Sequence, residues 1–198
     1  QSFLAFFMAA IVGPGLVSPD LTNGALPLYL SRPFTKSEYV FGKLSALAVL
    51  LSLITWIPVL VLFFMQASLE GGWLWANLWI AGSVIIGAWT WILTVSLMAL
   101  ALSAWFRWRP VAGAMLFGVF FVTSGFGAVI NEVMLTNWGM MLVLPEVLEA
   151  IFQWLFRGSV PAWVYPLPIW SAWVSLATVW AVSLGLLARK IRAYEVVR

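Results

Sequence analysis

Nine of the ten Lys and Arg residues of this 198-residue chain fall in three short stretches, residues 32–43, 107–109 and 189–198, and long uncharged apolar runs fill the spaces between. Uncharged runs cover residues 1–19, 44–69, 71–106, 110–131 and 158–188, and each can hold the ~20 apolar residues that a helix needs to cross a bilayer core. A chain in lipid must satisfy its backbone internally, and nothing here alternates polar and apolar residues in the ~10-residue segments of a membrane barrel. The composition agrees, with 64% hydrophobic and 9% charged residues and a mean hydropathy of +1.03. The expected fold is therefore an all-α integral membrane protein, one domain over 1–198. Its five transmembrane helices are expected at about 1–17, 44–65, 79–104, 110–130 and 161–188.

Orientation follows from the cations, because Lys and Arg in short loops favour the cytoplasmic side. Arg32, Lys36 and Lys43 follow the first run, Arg107 and Arg109 the third, and Arg189, Lys190, Arg192 and Arg198 the last. The opposite face then carries Glu70, Glu132, Glu146 and Glu149 against the single cation Arg157. This reading expects a multi-pass protein of the cell membrane, specifically a bacterial inner membrane, with a cytoplasmic C-terminus. Gln1 opens inside an apolar run without a basic leader, so the chain reads as an N-terminally truncated fragment. The net charge of +3 comes from this asymmetry, and no basic stripe with interleaved aromatics points to nucleic acid. Anionic membrane lipids are the expected partners of the basic groups.

Cysteine and histidine are both absent, which removes disulfides, thiol nucleophiles, the commonest metal ligands and the commonest general base. No metal or cofactor site is expected in this chain. The apolar runs contain no Asp, Glu, Lys, Arg or His, which argues against an intramembrane lipid-modifying enzyme and against an ion-coupled carrier. A noncatalytic scaffold or assembly protein stays compatible with the composition.

Fourteen Trp residues, many near span ends, read as an interfacial belt, with a stacking site for a lipid or drug as the alternative. Small-residue pairs at four-residue spacing (Ser83 and Gly87, Ala114 and Gly118, Ala181 and Gly185) permit close helix packing. Pro58 should kink the second span. Gly13-Pro14-Gly15 and Gly125-Phe126-Gly127 lack the strand-to-helix setting of a phosphate loop and read as breaks within or beside spans. Gly42-Lys43 lacks the rest of such a loop, so Lys43 reads as a helix-embedded cation at the membrane surface.

Two connections stand out. Residues 18–43 form a polar, turn-rich cytoplasmic loop whose run Ala25 to Leu30 suits the membrane surface. After Arg32-Pro33, the order Thr35, Lys36, Ser37, Glu38 is a capping box that should start the next helix. Residues 131–160, on the outer side, hold two segments too short to span: one around Met134 to Leu142, and Pro145 to Arg157. Pro145 suits a first helical position, Glu146 and Glu149 the helix N-terminus, Arg157 the last turn and Gly158 the C-cap. This region, with Glu132, reads as a re-entrant or interfacial helix pair. Glu146 and Glu149 share a face, and a paired-carboxylate site is the alternative reading.

Through Asp20, Gly24, Leu30-Ser31-Arg32-Pro33, Tyr39 and Gly42-Lys43, and the tail Ala188-Arg189-Lys190-Ile191 with Glu195-Val196-Val197, the chain resembles the permease subunits of ABC type-2 transporters. The resemblance implies the second to sixth spans of such a permease, preceded by a cytoplasmic helix and a first span. It implies a path-forming exporter subunit without its own nucleotide site, a second permease copy or similar permease, and an ABC ATP-binding subunit that carries ATP and Mg. Residues 20–33 become the coupling element, with Asp20, Arg32 and Lys36 offering charge contacts and Leu28, Tyr29 and Leu30 apolar ones.

Overall fold

The computed structural model describes residues 2–22, 36–106, 108–158, 160 and 165–193. Among these residues seven α-helices run in order: α1 Ser2–Thr22, α2 Lys36–Ile54, α3 Trp56–Leu69, α4 Trp73–Trp105, α5 Arg109–Met134, α6 Leu144–Leu155 and α7 Ile169–Ala193, with a 3₁₀ turn at Trp138–Leu142. No strand occurs among the described residues. Among the described residues five stretches are long and apolar enough to cross a bilayer: Phe3–Asp20, Glu38–Leu69, Trp73–Trp105, Arg109–Met134 and Ile169–Lys190. The chain is a multi-pass, all-α membrane protein.

Local chemistry sets the helix limits. α2 begins at Lys36, the residue after the Thr35 of the capping box. It ends at Ile54, four residues before Pro58, where the proline ring meets the i−4 carbonyl and supplies no donor to it. The expected kink is thus a break at Thr55, whose backbone leaves the helical region (φ −95°, ψ −89°). The two glycine-rich stretches behave differently. α1 and α5 run unbroken through Gly13–Gly15 and Gly125–Gly127, and the breaks expected there do not form.

The chain divides into two compact units. The first comprises Gln1–Leu51, Ile92–Gly118 and Thr178–Arg198, and the second Ser52–Trp91 and Val119–Ala177. Every described Lys and Arg except Arg157 belongs to the first, while Glu70, Glu132, Glu146, Glu149 and Arg157 belong to the second. These are the two groups into which the orientation argument divides the same charges.

In the first unit α1 is clamped by close backbone approaches. A Cβ on Gly13 would lie 2.7 Å from the Ala99 Cβ of α4, and one on Gly113 of α5 would lie 2.6 Å from the Ala10 carbonyl oxygen. Ala10 is the residue whose carbonyl Pro14 deprives of its helical donor, so the glycine lets α5 back onto a carbonyl that the helix cannot use. One turn further, the fully buried Ser103 hydroxyl accepts from the Ser18 N–H and donates to the Pro14 carbonyl, both at 3.0 Å. A neighbouring hydroxyl serving the backbone is how a proline-bearing helix persists in lipid. Around this turn Val17, Leu100, Ala101, Ala104 and Leu187 form an apolar core, with Tyr39, Val40 and Leu44 of α2 packed against it.

Candidate functional site

Two constellations gather the polar residues of the chain, one in each unit. In the first unit, α1 delivers Asp20 and α2 delivers Tyr39 and Lys43, which lie one helical turn apart and share a face. The Asp20 carboxylate lies 2.8 Å from the Lys43 ammonium, and the same oxygen accepts from the Tyr39 hydroxyl at 2.8 Å. The Lys43 ammonium also stands 5.6 Å from the centre of the Tyr39 ring. Asp20 and Lys43 are 17% and 25% exposed, so the pair is shielded enough to exceed the weak surface norm and contribute about 1 kcal/mol or more. Residues 23–35 lie between these two helices. The clasp thus joins the two ends of the connection, at the last turn of α1 and the first turns of α2.

Of the residues expected to couple to a partner, Leu28, Tyr29, Leu30 and Arg32 lie outside the described residues, and Lys36 opens α2. Asp20 is engaged within its own chain. Tyr39 was legible only as a member of the family-like pattern, Lys43 also as a helix-embedded cation at the membrane surface, and Ser103 was one of several hydroxyls in an apolar run with nothing to single it out.

In the second unit the short elements between α5 and α7 are held by side-chain to backbone bonds. The Asn131 amide oxygen of α5 accepts from the buried Gly139 N–H at 2.8 Å. Gly127 and Gly139 back onto each other, and a Cβ on Gly127 would lie 2.6 Å from the Gly139 carbonyl oxygen and against Val143. The Ser175 hydroxyl of α7 donates to the Met141 carbonyl. On α4, the Ser83 hydroxyl donates to the Leu155 carbonyl at 2.7 Å, and a Cβ on Gly87 would lie 2.8 Å from the Phe152 ring. The Ser83 and Gly87 pair therefore is a packing seat, and its occupant is α6. α6 buries Leu144, Val147, Leu148 and Ile151 along one stripe. At 12 residues it reaches about 18 Å, short of a bilayer core.

Three details differ from the sequence reading of this region. α5 continues to Met134, so the companion element is the 3₁₀ turn Trp138–Leu142 alone. Pro145 stands at the second helical position, after Leu144, and Glu146 lies in the first turn as expected. The end of α6 is a Schellman motif in which Arg157, not Gly158, takes the left-handed conformation (φ 55°). The Gly158 N–H closes it on the Gln153 carbonyl at 2.8 Å, and the Arg157 N–H bonds the Trp154 carbonyl at 3.1 Å. The Arg157 guanidinium, 4.5 Å from the centre of the Trp79 ring, helps to offset the roughly 1 kcal/mol that an L-residue loses there.

Glu146 has one carboxylate oxygen buried without a hydrogen-bond partner among the described residues. Burial first, and then the neighbouring Glu149, push its carboxyl above the ordinary glutamate value. Glu149 is exposed and accepts from the Gln153 amide at 3.0 Å, and Glu132 is exposed in the last turn of α5.

The family model for the ABC-2 family transporter protein matches residues 1–155, from α1 through α6. The chain belongs to the ABC-2 transporter family. No curated protein and no solved structure matches it. Members of this family are membrane permease components of ABC transporters and typically non-catalytic transport subunits. The match contains both the clasp and the short helix pair. The family-like tail at residues 188–197 lies beyond it.

Proposed function

We propose that this ABC-2 chain is the path-forming permease of an ATP-driven exporter, working with a second identical or similar permease and with ABC ATP-binding subunits that dock on residues 20–43. ATP and Mg belong to those partners. In this reading the coupling surface lies on the cytoplasmic side of a cell membrane, a bacterial inner membrane, together with the C-terminus. Arg32 and Lys36 offer it charge, and Leu28, Tyr29 and Leu30 offer apolar contact.

The single observation that carries this reading is the Asp20, Tyr39 and Lys43 clasp. A push on a connection reaches both flanking helices together only if its two ends are joined. With its ends joined by an ion pair and a hydrogen bond, a push on residues 23–35 moves α1 and α2 as one body. Asp20 is then a positioning residue for the coupling segment rather than a contact of the partner.

Co-purification of the full-length membrane protein with candidate ATP-binding subunits, followed by ATP turnover in lipid, tests the assignment. Arg32→Glu should weaken the complex. Lys43→Gln should leave the complex formed but uncouple turnover from transport. A well-folded protein that retains no ATP-binding subunit and shows no ATP dependence would overturn the proposal.

A further inference from the structure

The last turn of α1 draws on another helix for its backbone bonds. Pro14 supplies no donor to the Ala10 carbonyl, and Pro19 supplies none to the Gly15 carbonyl, so the helical ladder has two gaps here. Beside the second gap, the Ser18 N–H and the Pro14 carbonyl are the donor and acceptor of one regular helical rung. The Ser103 hydroxyl of α4 bonds both of them at 3.0 Å. A side chain engaged with the ladder in this way sets the local course of a helix. Ser18 and Ser103 are both fully buried, so water cannot take over either bond. Asp20 follows Ser18 by two residues, about 3 Å further along the helix axis.

The same turn of α4 also serves the other half of the clasp. Leu100, Ala101 and Ala104, which flank Ser103, form with Val17 and Leu187 the core against which Tyr39, Val40 and Leu44 of α2 pack. Tyr39 is the phenol that donates to Asp20, and Lys43 lies one turn further along α2. The helix of the acid is thus held by a hydroxyl, and the helix of the phenol and the ammonium by apolar contact. A carboxylate oxygen shared between a phenol and an ammonium tolerates little displacement, because hydrogen bonds weaken steeply away from their short range.

We propose that Ser103 is a positioning residue for the clasp: its hydroxyl fixes the turn of α1 that carries Asp20, and so sets the carboxylate where Tyr39 and Lys43 can share it. Pro19 is the reason a foreign hydroxyl is needed. A residue with an N–H at that position would return a donor to the Gly15 carbonyl and let α1 hold the turn by itself. All of these contacts lie in the first unit, and only their consequence for ATP turnover rests on the reading of residues 20–43 as the coupling segment.

The test follows the thermal unfolding midpoint of the full-length protein in phosphatidylcholine nanodiscs between about 0.1 and 1 M NaCl, over which the screening length falls from about 10 to about 3 Å. The difference between wild type and Lys43→Gln isolates the clasp's share of the salt dependence. Ser103→Ala, which removes no charge, should lose that same share, and Ser103→Ala combined with Pro19→Ala should regain it. The combined variant guards against a protein that merely folds poorly. Ser103→Ala and Asp20→Asn, although not in contact, should be non-additive in a double-mutant cycle. A lowered midpoint in Ser103→Ala with the salt dependence of wild type, or strict additivity with Asp20→Asn, would make Ser103 a packing contact and overturn the proposal. With ATP-binding subunits present, Ser103→Ala should also lower transport per ATP hydrolysed, as Lys43→Gln does. Loss of the clasp's salt dependence with that ratio unchanged would uphold the positioning role and overturn the coupling reading of the clasp instead.

Discussion

The clasp between α1 and α2 and the short helix pair between α5 and α7 both hold a connection in place, but they use opposite chemistry. The clasp is an ion pair reinforced by one phenol, and the glycine in its helix, Gly42, touches nothing that would limit a side chain. The short pair is held by hydroxyl and amide groups bonded to backbone, and by two glycines packed face to face. A partly exposed ion pair weakens with salt. Backbone groups buried against each other cannot separate without leaving polar atoms unmet, at about 1–3 kcal/mol each. The first region joins two helix ends through charge that salt can tune, and the second locks its shape through buried backbone.

Five substitutions would break or sharpen this contrast. The largest effect is expected for Gly127→Val, whose branched side chain must displace the Gly139 carbonyl and Val143. It should cost about 3 kcal/mol or more and show as a large drop in the thermal unfolding midpoint. Asn131→Ala should follow at about 2 kcal/mol, because the buried Gly139 N–H loses its acceptor. A loss under a few tenths would show that the backbone shifts to find another partner.

In the clasp, Asp20→Asn and Lys43→Gln should each cost about 1 kcal/mol, with a coupling energy in the double-mutant cycle that shrinks as salt is added. A salt-independent coupling would place the clasp in the same class as the short pair. The smallest effect is expected for Glu146. Its carboxyl is held above the ordinary value of 4.5, so the folded state binds the proton more tightly than the unfolded chain does. The stabilisation is complete below that value and lost as pH rises through the raised one. Unfolding midpoints of wild type should therefore fall over that window, and Glu146→Gln should flatten this part of the profile.

Much of this architecture was legible beforehand because it rests on local rules. The apolar runs between Lys and Arg clusters have the length of a membrane crossing, Thr35 to Glu38 marked the start of α2, and Pro58 marked the break at Thr55. The glycines were harder. Gly13 and Gly127 look like breakers in one dimension, and each proves to be a place where another element comes close. Ser83 and Gly87 signalled close packing without revealing that a 12-residue helix, not a full span, fills the seat. At the end of α6, glycine preference pointed to Gly158, while the ring of Trp79, 78 residues away in the chain, favours Arg157 in the left-handed position.

Sequence by itself determined that this protein is built of membrane-crossing helices with nine of its ten cations gathered in three places, because hydropathy and charge act residue by residue and need no partner to be read. Only the tertiary structure decided that Asp20 meets Tyr39 and Lys43, that Ser103 serves a proline-bearing turn of α1, and that Trp105 gathers Lys190 to its face. Those contacts join residues 19 to 89 positions apart, and a chain's local pattern carries no record of which distant groups a close-packed interior will bring within 3 Å.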